Sequence, residues 1–110
     1  NIFIHRELPN LPLLAENDLN ICIGTDSLSS NTHFSIVDEM KTIQNAFPQI
    51  SMAQMIQLTT INGAKAIGCD SQYGTIEVGK APGLVFIDGV VEDQTGELRL
   101  TEQSKSVRII

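Results

Sequence analysis

The stretch "LNICIGTD" (residues 19–26) decides how the rest of the chain is interpreted. Its first six residues form a short, mostly apolar run that has the length of a strand and no clean alternation of apolar and polar residues. A strand of this kind has both faces covered, as in a parallel sheet. Gly24 ends the run, and Asp26 is the first charged residue after it. We therefore predict a covered parallel strand that presents one carboxylate at its C-terminal end.

Helices are predicted on both sides of this strand. A short one follows Asn10, and a longer one covers residues 35–47, with Ser35 as its N-cap. Residues 51–68 predict a further helix, because Ser51-x-x-Gln54 has capping-box spacing and Gly68 is placed to end the helix. Beyond this point glycines separate β-prone runs. We expect strands at residues 75–78, 84–88, 97–100 and 106–110, with a turn at residues 92–97.

A lone parallel-type strand needs neighbouring strands that this chain does not supply without long connections. The predicted fold class is therefore α/β. Residues 1–68 are expected to be the end of a larger (β/α)8 TIM barrel, with its last strand and flanking helices, and residues 69–110 to be strands of a small accompanying β-sandwich. On this interpretation the chain is incomplete.

Composition excludes several kinds of partner. The net charge of −6 and the pI of about 4.6 argue against nucleic acid and against an anionic membrane surface. No apolar run approaches the roughly 20 residues of a membrane span, and no signal peptide is recognisable, so a cytoplasmic location is expected. Cys22 is predicted to be a small core residue. Cys22 and Cys69 are expected to be free thiols in a reducing compartment, with a disulfide as the alternative.

Asp26 has two interpretations from its position alone. A carboxylate after a strand can cap the following loop by accepting hydrogen bonds from backbone N–H groups. At the C-terminal end of a barrel strand it can instead ligate a metal ion and accept a proton from an attacking water. Position does not separate these two roles.

An ordered series of motifs favours the second role. Residues 24–26 (Gly-Thr-Asp), 60–64 (Thr-Ile-Asn-Gly-Ala) and 74–80 (Gly-Thr-Ile-Glu-Val-Gly-Lys) resemble, in order and spacing, the C-terminal part of the amidohydrolase superfamily. The similarity covers roughly residues 1–88 and is greatest to the cytosine deaminase, guanine deaminase and chlorohydrolase-like branch. One departure is local: residues 81–84 read Ala-Pro-Gly-Leu where the family usually has Ala-Asp-Leu.

This resemblance implies that Asp26 is both a metal ligand and the general base. The implied cofactor is one divalent metal, with zinc expected and iron as the alternative. The family's other ligands are histidines, in a His-x-His pair and two single positions, whereas this chain has only His5 and His33, outside such motifs. The remaining ligands are therefore expected outside this chain, and the chain alone is expected to be inactive.

Other residues near this loop are candidates for substrate contact. His33, Ser27 and Asn31 follow Asp26 closely enough to line a pocket, although a solvated loop histidine is the alternative for His33. His5 and Arg6 are weaker candidates, in the loop that would follow the seventh barrel strand.

Three further features are interpreted as structural. Glu39 is expected to bond loop backbone or a cation, and Lys80 to be solvated in its turn. The methionines are interpreted as core packing rather than a cofactor site. They are Met40, Met52 and Met55.

The predicted function is hydrolysis of a non-peptide C–N bond, as in deamination of a cyclic amidine or nucleobase-like small molecule by metal-activated water. The first alternative is a chlorohydrolase acting on an aromatic heterocycle. The second is a non-catalytic binding or assembly module derived from the same fold. The full-length parent is expected to be a homo-oligomer. The isolated chain is expected to self-associate through unpaired strand edges.

Overall fold

The computed structural model describes Leu13, residues 19–25 and residues 35–110. Leu13 is helical, which agrees with the short helix predicted after Asn10, and the other residues of that prediction lie outside the described part of the chain. The elements of the described part are α1 (Ile36–Ala46), α2 (Met52–Thr59), α3 (Ile61–Ala66), β1 (Val85–Glu92) and β2 (Leu98–Arg108).

Helix α1 forms where its capping residue and its apolar spacing predict it. The Ser35 hydroxyl accepts a hydrogen bond from the N–H of Asp38 at 3.3 Å, which satisfies one free donor of the first turn. The buried face of the helix carries Val37, Met40 and Ile43. Both the predicted helix and its N-cap are confirmed.

The single helix predicted over residues 51–68 is wrong, because the chain breaks it at Thr60 into α2 and α3. Its start is confirmed by a full capping box between Ser51 and Gln54. At the break, the hydroxyls of Thr59 and Thr60 donate to carbonyls one turn earlier, at 3.0 and 2.6 Å. Such bonds compete with the helical ladder and bend or end helices. Two consecutive threonines therefore explain the interruption.

Helix α3 ends as the glycine after it predicts. Gly68 has a φ of +75°, which glycine adopts without the penalty of a side chain. Its N–H donates to the carbonyl of Lys65 at 3.2 Å, and the N–H of Cys69 donates to the carbonyl of Ala64 at 2.9 Å. This pair of bonds is a Schellman motif.

The described sheet has two antiparallel strands, with Phe86 opposite Val107 and Val90 opposite Leu100. The strand predicted at residues 84–88 is confirmed and extends to Glu92. The strands predicted at residues 97–100 and 106–110 are one continuous strand.

The polar residues in the middle of β2 stay in the sheet because they bond the opposite strand. The extra residues of a β-bulge, residues 101–104 of β2, lie opposite the single residue Gly89 of β1, whose φ is +73°. Its carbonyl accepts hydrogen bonds from the hydroxyls of Thr101 at 2.7 Å and Ser104 at 2.9 Å. A polar run that looks like a connection between strands is therefore part of one strand.

The strand predicted at residues 75–78 is wrong, because this segment forms a turn held by side chains. The Thr75 hydroxyl donates to Glu77 at 2.5 Å and accepts from the Lys80 ammonium at 2.8 Å, and Lys80 lies 2.9 Å from Glu77. The Thr75 hydrogen bond, followed by Lys80, lowers the pKa of the Glu77 carboxyl. The Lys80 side chain is only 14% exposed, so the prediction that it is solvated is wrong.

One apolar cluster joins the helices to the sheet. Its buried members are Met40, Ile43, Met55 and Leu100, with Met52, Ile21 and Ile23 among the partly buried residues packed against it. The methionines are therefore core residues, as predicted. The cluster takes residues from both sides of position 68, and the division into domains 1–68 and 69–110 stays a prediction.

Two polar ties reinforce this contact between helices and sheet. The Gln44 side-chain amide pairs with both the N–H and the carbonyl of Leu100, each at 2.9 Å, so that α1 occupies part of the edge of β2. The Glu97 carboxylate accepts from the N–H of Met52 at 2.7 Å, at the start of α2. Within the described residues, no helix is long and apolar enough to cross a membrane.

Replacing Gly74 by alanine is expected to destabilise the protein more than the same change at Gly79. Both glycines have positive φ, +98° and +89°, which costs alanine about 1–2 kcal/mol. At Gly74 a Cβ would also lie 2.9 Å from the Cα of Ile61 and 3.0 Å from Ala64, whereas nothing lies within 4 Å at Gly79. We expect an additional loss of about 1–3 kcal/mol for Gly74→Ala, measured by urea denaturation. Equal losses of unfolding free energy for the two variants would show that the Gly74 turn is not closely packed against α3.

Acid is expected to remove a contribution of Asp93 to stability. Hydrogen bonds from the Thr95 hydroxyl and N–H, with smaller help from Arg99 and Glu97, lower the pKa of the Asp93 carboxyl to about 2 from an ordinary value of 3.8. A folded-state pKa below the unfolded value stabilises the fold above about pH 4, and this contribution is lost as the pH falls towards 2. Thermal unfolding of Asp93→Asn should therefore show a deficit at pH 7 that shrinks between pH 4 and 2. Asp88→Asn, on β1, is the control for the charge change, and a pH-independent deficit for Asp93→Asn would contradict the assignment.

Candidate functional site

The predicted site residues themselves lie outside the described part of the chain. Their positions and contacts stay predictions, and the described residues locate the segment that leads to Asp26. The predicted residues concerned are Asp26, Ser27, Asn31, His33, His5 and Arg6.

The segment before Asp26, residues 19–25, has no regular secondary structure, so the predicted strand does not form here. A strand needs a hydrogen-bonded neighbour, and the two described strands pair with each other. Ile21 and Ile23 pack against the core cluster, whereas Leu19 and Cys22 are exposed. The prediction that both faces are covered is therefore wrong, and Cys22 is not a core residue. Cys22 and Cys69 are free thiols in this structure, as expected.

The first attachment of this segment is a backbone hydrogen bond. The N–H of Ile23 donates to the carbonyl of Leu58 at 3.1 Å. In an uninterrupted helix the Leu58 carbonyl would accept from the N–H of residue 62. The helix break at Thr60 therefore makes this carbonyl available to the segment that ends at Asp26.

The second attachment is made by the asparagine of the Thr-Ile-Asn-Gly-Ala motif. The Asn62 side-chain amide donates to the carbonyl of Ile21 at 2.7 Å. In return, the Asn20 side-chain amide donates to the backbone carbonyl of Asn62 at 3.0 Å. Two hydrogen bonds of opposite direction thus join the first turn of α3 to residues 20 and 21.

The remaining residues of the motif, Gly63 and Ala64, lie beside two other parts of the chain. A Cβ on Gly63 would lie 4.0 Å from the Cβ of Cys22, in ordinary contact with the segment. Ala64 is buried, and the tight turn at Gly74 lies directly against it. The motif therefore fits α3 between the segment leading to Asp26 and the Gly74 turn.

The sequence carries a signal for a helix start at Asn62, but none for the hydrogen bond from Asn62 to Ile21. Asparagine is unfavourable inside a helix because its side chain competes for backbone groups. An asparagine two residues after a Thr-Thr pair therefore indicates a helix start rather than a helix interior.

The described residues contain no group of three or more histidine, cysteine, aspartate or glutamate side chains that could hold a metal ion. The described groups that contact residues 20–23 through these hydrogen bonds are amides and carbonyls, which carry no formal charge. The described residues thus hold the segment before Asp26 through uncharged groups.

Comparisons with known proteins agree with the resemblance given by the motifs. The sequence model of the Amidohydrolase family matches residues 2–109. The chain is 36% identical over 95 residues to the 5-methylthioadenosine/S-adenosylhomocysteine deaminase of Halalkalibacterium halodurans, covering 80% of this chain and 22% of that protein. It is 33% identical over 82 residues to the 5'-deoxyadenosine deaminase of Methanobrevibacter smithii, covering 68% of this chain and 19% of that protein.

The chain thus spans about a fifth of the length of the curated relatives it matches. The family match, by contrast, extends over nearly all of its residues, including the three motifs that suggested the resemblance. The chain belongs to the amidohydrolase family.

Proposed function

We propose that this chain is the C-terminal portion of a metal-dependent amidohydrolase that deaminates adenosine derivatives altered at the 5′ position. The similarity to proteins named as deaminases of such compounds supports the substrate class. The observation that carries the proposal is the joining of two family motifs: Asn62 and Leu58, in and beside the Thr-Ile-Asn-Gly-Ala motif, hold the segment that runs into Gly-Thr-Asp.

Asp26 is proposed to be a metal ligand and the general base. A divalent metal supplies Lewis-acid activation, which lowers the pKa of water enough to give a nucleophile at neutral pH. The Asp26 carboxylate would accept the proton that the attacking water loses. Water adds to C6 of the adenine ring, the C6–N bond breaks, and the amino group leaves as ammonia.

The other metal ligands are proposed to be histidines of the parent outside these 110 residues. This chain has two histidines, His5 and His33, and no His-x-His pair. A catalytic zinc site requires about three protein ligands, which one carboxylate does not provide. Zinc is the proposed metal, with iron as the alternative, and the proposed frame is the last strand of a (β/α)8 barrel beside a small β-sandwich.

Three residues after Asp26 are proposed to contact substrate, namely Ser27, Asn31 and His33. Their hydroxyl, amide and imidazole groups suit the hydrogen-bonding edges of a nucleoside. A homo-oligomeric parent, self-association of the isolated chain and a cytoplasmic location stay predictions.

Replacing Asp26 by asparagine in the full-length enzyme is expected to remove activity while the fold is kept. Asparagine has nearly the same shape but neither carries the negative charge nor accepts a proton at neutral pH. We expect kcat for ammonia release from methylthioadenosine to fall by about 10²–10⁴-fold or more. Asp70→Asn, the same change in the turn after α3, should leave kcat unchanged.

The same assay separates the alternatives. Turnover by Asp26→Asn at the wild-type rate would overturn the assignment of Asp26. Release of chloride from a chlorinated heterocycle, with no ammonia from adenosine derivatives, would establish the chlorohydrolase alternative instead. Absence of both activities in a metal-loaded, folded full-length protein would favour a binding module.

A further inference from the structure

We propose that Asn62 is a positioning residue for Asp26, acting through the hydrogen bond from its side-chain amide to the carbonyl of Ile21. This inference rests on the proposed function, since it assigns Asn62 a role only if Asp26 acts in the site. It goes further by naming the side chain that sets where the carboxylate is held.

The geometry that supports this role is a pair of hydrogen bonds to the backbone of the segment, beside the bond that the Asn20 side chain donates to the Asn62 carbonyl. Asn62 holds the carbonyl of Ile21 at 2.7 Å, and the carbonyl of Leu58 holds the N–H of Ile23 at 3.1 Å. One hydrogen bond leaves a chain free to pivot about it, whereas two bonds at residues 21 and 23 fix both its position and its direction. Asp26 follows the second attachment by three residues.

The two attachments differ in one useful respect. The bond from Ile23 to Leu58 joins backbone groups and does not depend on the side chain of either residue, proline at position 23 excepted. The bond to Ile21 depends on the Asn62 amide, which is partly buried with it. Asn62 is therefore the attachment that a point mutation can release while α2, α3 and the core contacts of Ile21 and Ile23 stay in place.

Release of this bond matters because catalytic groups tolerate little displacement. Catalytic constellations must be held within about 0.5 Å of their productive geometry. Without the Asn62 amide, the hydrogen bonds that remain are those of the Asn20 side chain to the Asn62 carbonyl and of the Ile23 N–H to the Leu58 carbonyl. The Ile21 peptide between them is then free to rotate, and its rotation changes the direction in which the chain continues towards Asp26. The groups that orient metal ligands change metal affinity or activity by about 10–100-fold when they are removed.

The test uses the full-length holoenzyme with the variant Asn62→Asp. The carboxylate has the shape of the amide, but it sets an anionic oxygen against the Ile21 carbonyl in place of a donor. We expect kcat to fall by about 10–100-fold with a smaller change in KM, and the affinity for zinc, measured by chelator competition, to fall by a similar factor. Asn45→Asp, the same change at an exposed position of α1, should alter neither quantity.

A second variant distinguishes a positioning role of Asn62 from a purely structural one. Asn62→Ala removes the donor without adding a charge, and the same losses are expected if this variant folds. A purely structural role predicts a lower melting temperature with wild-type kcat and zinc affinity in the molecules that remain folded. That result for either variant would overturn the proposal.

A double variant separates this inference from the proposed function. If Asn62 acts through Asp26, Asn62→Ala should have little further effect on zinc affinity once Asp26→Asn is present, because the two effects are then not additive. Additive losses would show that Asn62 acts independently and would overturn the positioning role. If Asp26→Asn alone leaves turnover intact, the proposed function itself has failed, which is a different outcome.

Discussion

The carbonyl of Leu58 is the constraint on which the arrangement around residues 19–25 depends. A continuous helix would use this carbonyl internally, and the segment would lose its backbone partner. The Thr59 and Thr60 hydroxyls donate hydrogen bonds to carbonyls of the preceding turn, and α2 ends there. The Leu58 carbonyl accepts instead from the N–H of Ile23. The threonines interrupt the helix, and the hydrogen bond between Ile23 and Leu58, which are distant in sequence, offsets that loss of helical hydrogen bonding.

The helical part of the structure, which holds residues 19–25, is itself hydrogen-bonded to the sheet through α1. Gln44 pairs with both backbone groups of Leu100, and Leu100 is a buried member of the core cluster. A buried residue in a strand edge has backbone groups that must be satisfied, and the Gln44 amide supplies a donor and an acceptor with one side chain. The position of α1, and of the core on which Ile21 and Ile23 rest, is thus tied to β2.

Local sequence signals were sufficient where an element depends on its own residues. Helix α1, the capping box at Ser51 and the glycine stop at Gly68 follow from spacing and capping chemistry, and the structure confirms each of them. The continuous helix over 51–68 and the strand over 75–78 failed for a different reason. Side-chain hydrogen bonds from Thr60 and Thr75 override the backbone propensity there, and apolar spacing does not reveal them.

The segment at 19–25 shows what sequence patterning leaves undetermined. Its apolar residues fit a strand, but a strand exists only in relation to a neighbour, and the described strands pair with each other. The family could be predicted from the sequence because it depends on the order of the motifs, which does not require the secondary structure to be predicted correctly. The contribution of Asn62 was not accessible, since it depends on a contact across 41 positions of sequence.

Asp93 shows why a position after a strand does not by itself identify a catalytic acid. Asp93 comes after β1 and accepts hydrogen bonds from Thr95, Glu97 and Arg99, which lower its pKa to about 2. A carboxylate held in this way stabilises a turn but is a weak base at neutral pH, because a general base works best with a pKa near the operating pH. A catalytic Asp26 therefore has to be positioned by bonds to its neighbours in the chain rather than by donors that saturate its own oxygens. The hydrogen bonds at Ile21 and Ile23 are of that kind, since they are made to backbone groups that precede Asp26 in the chain.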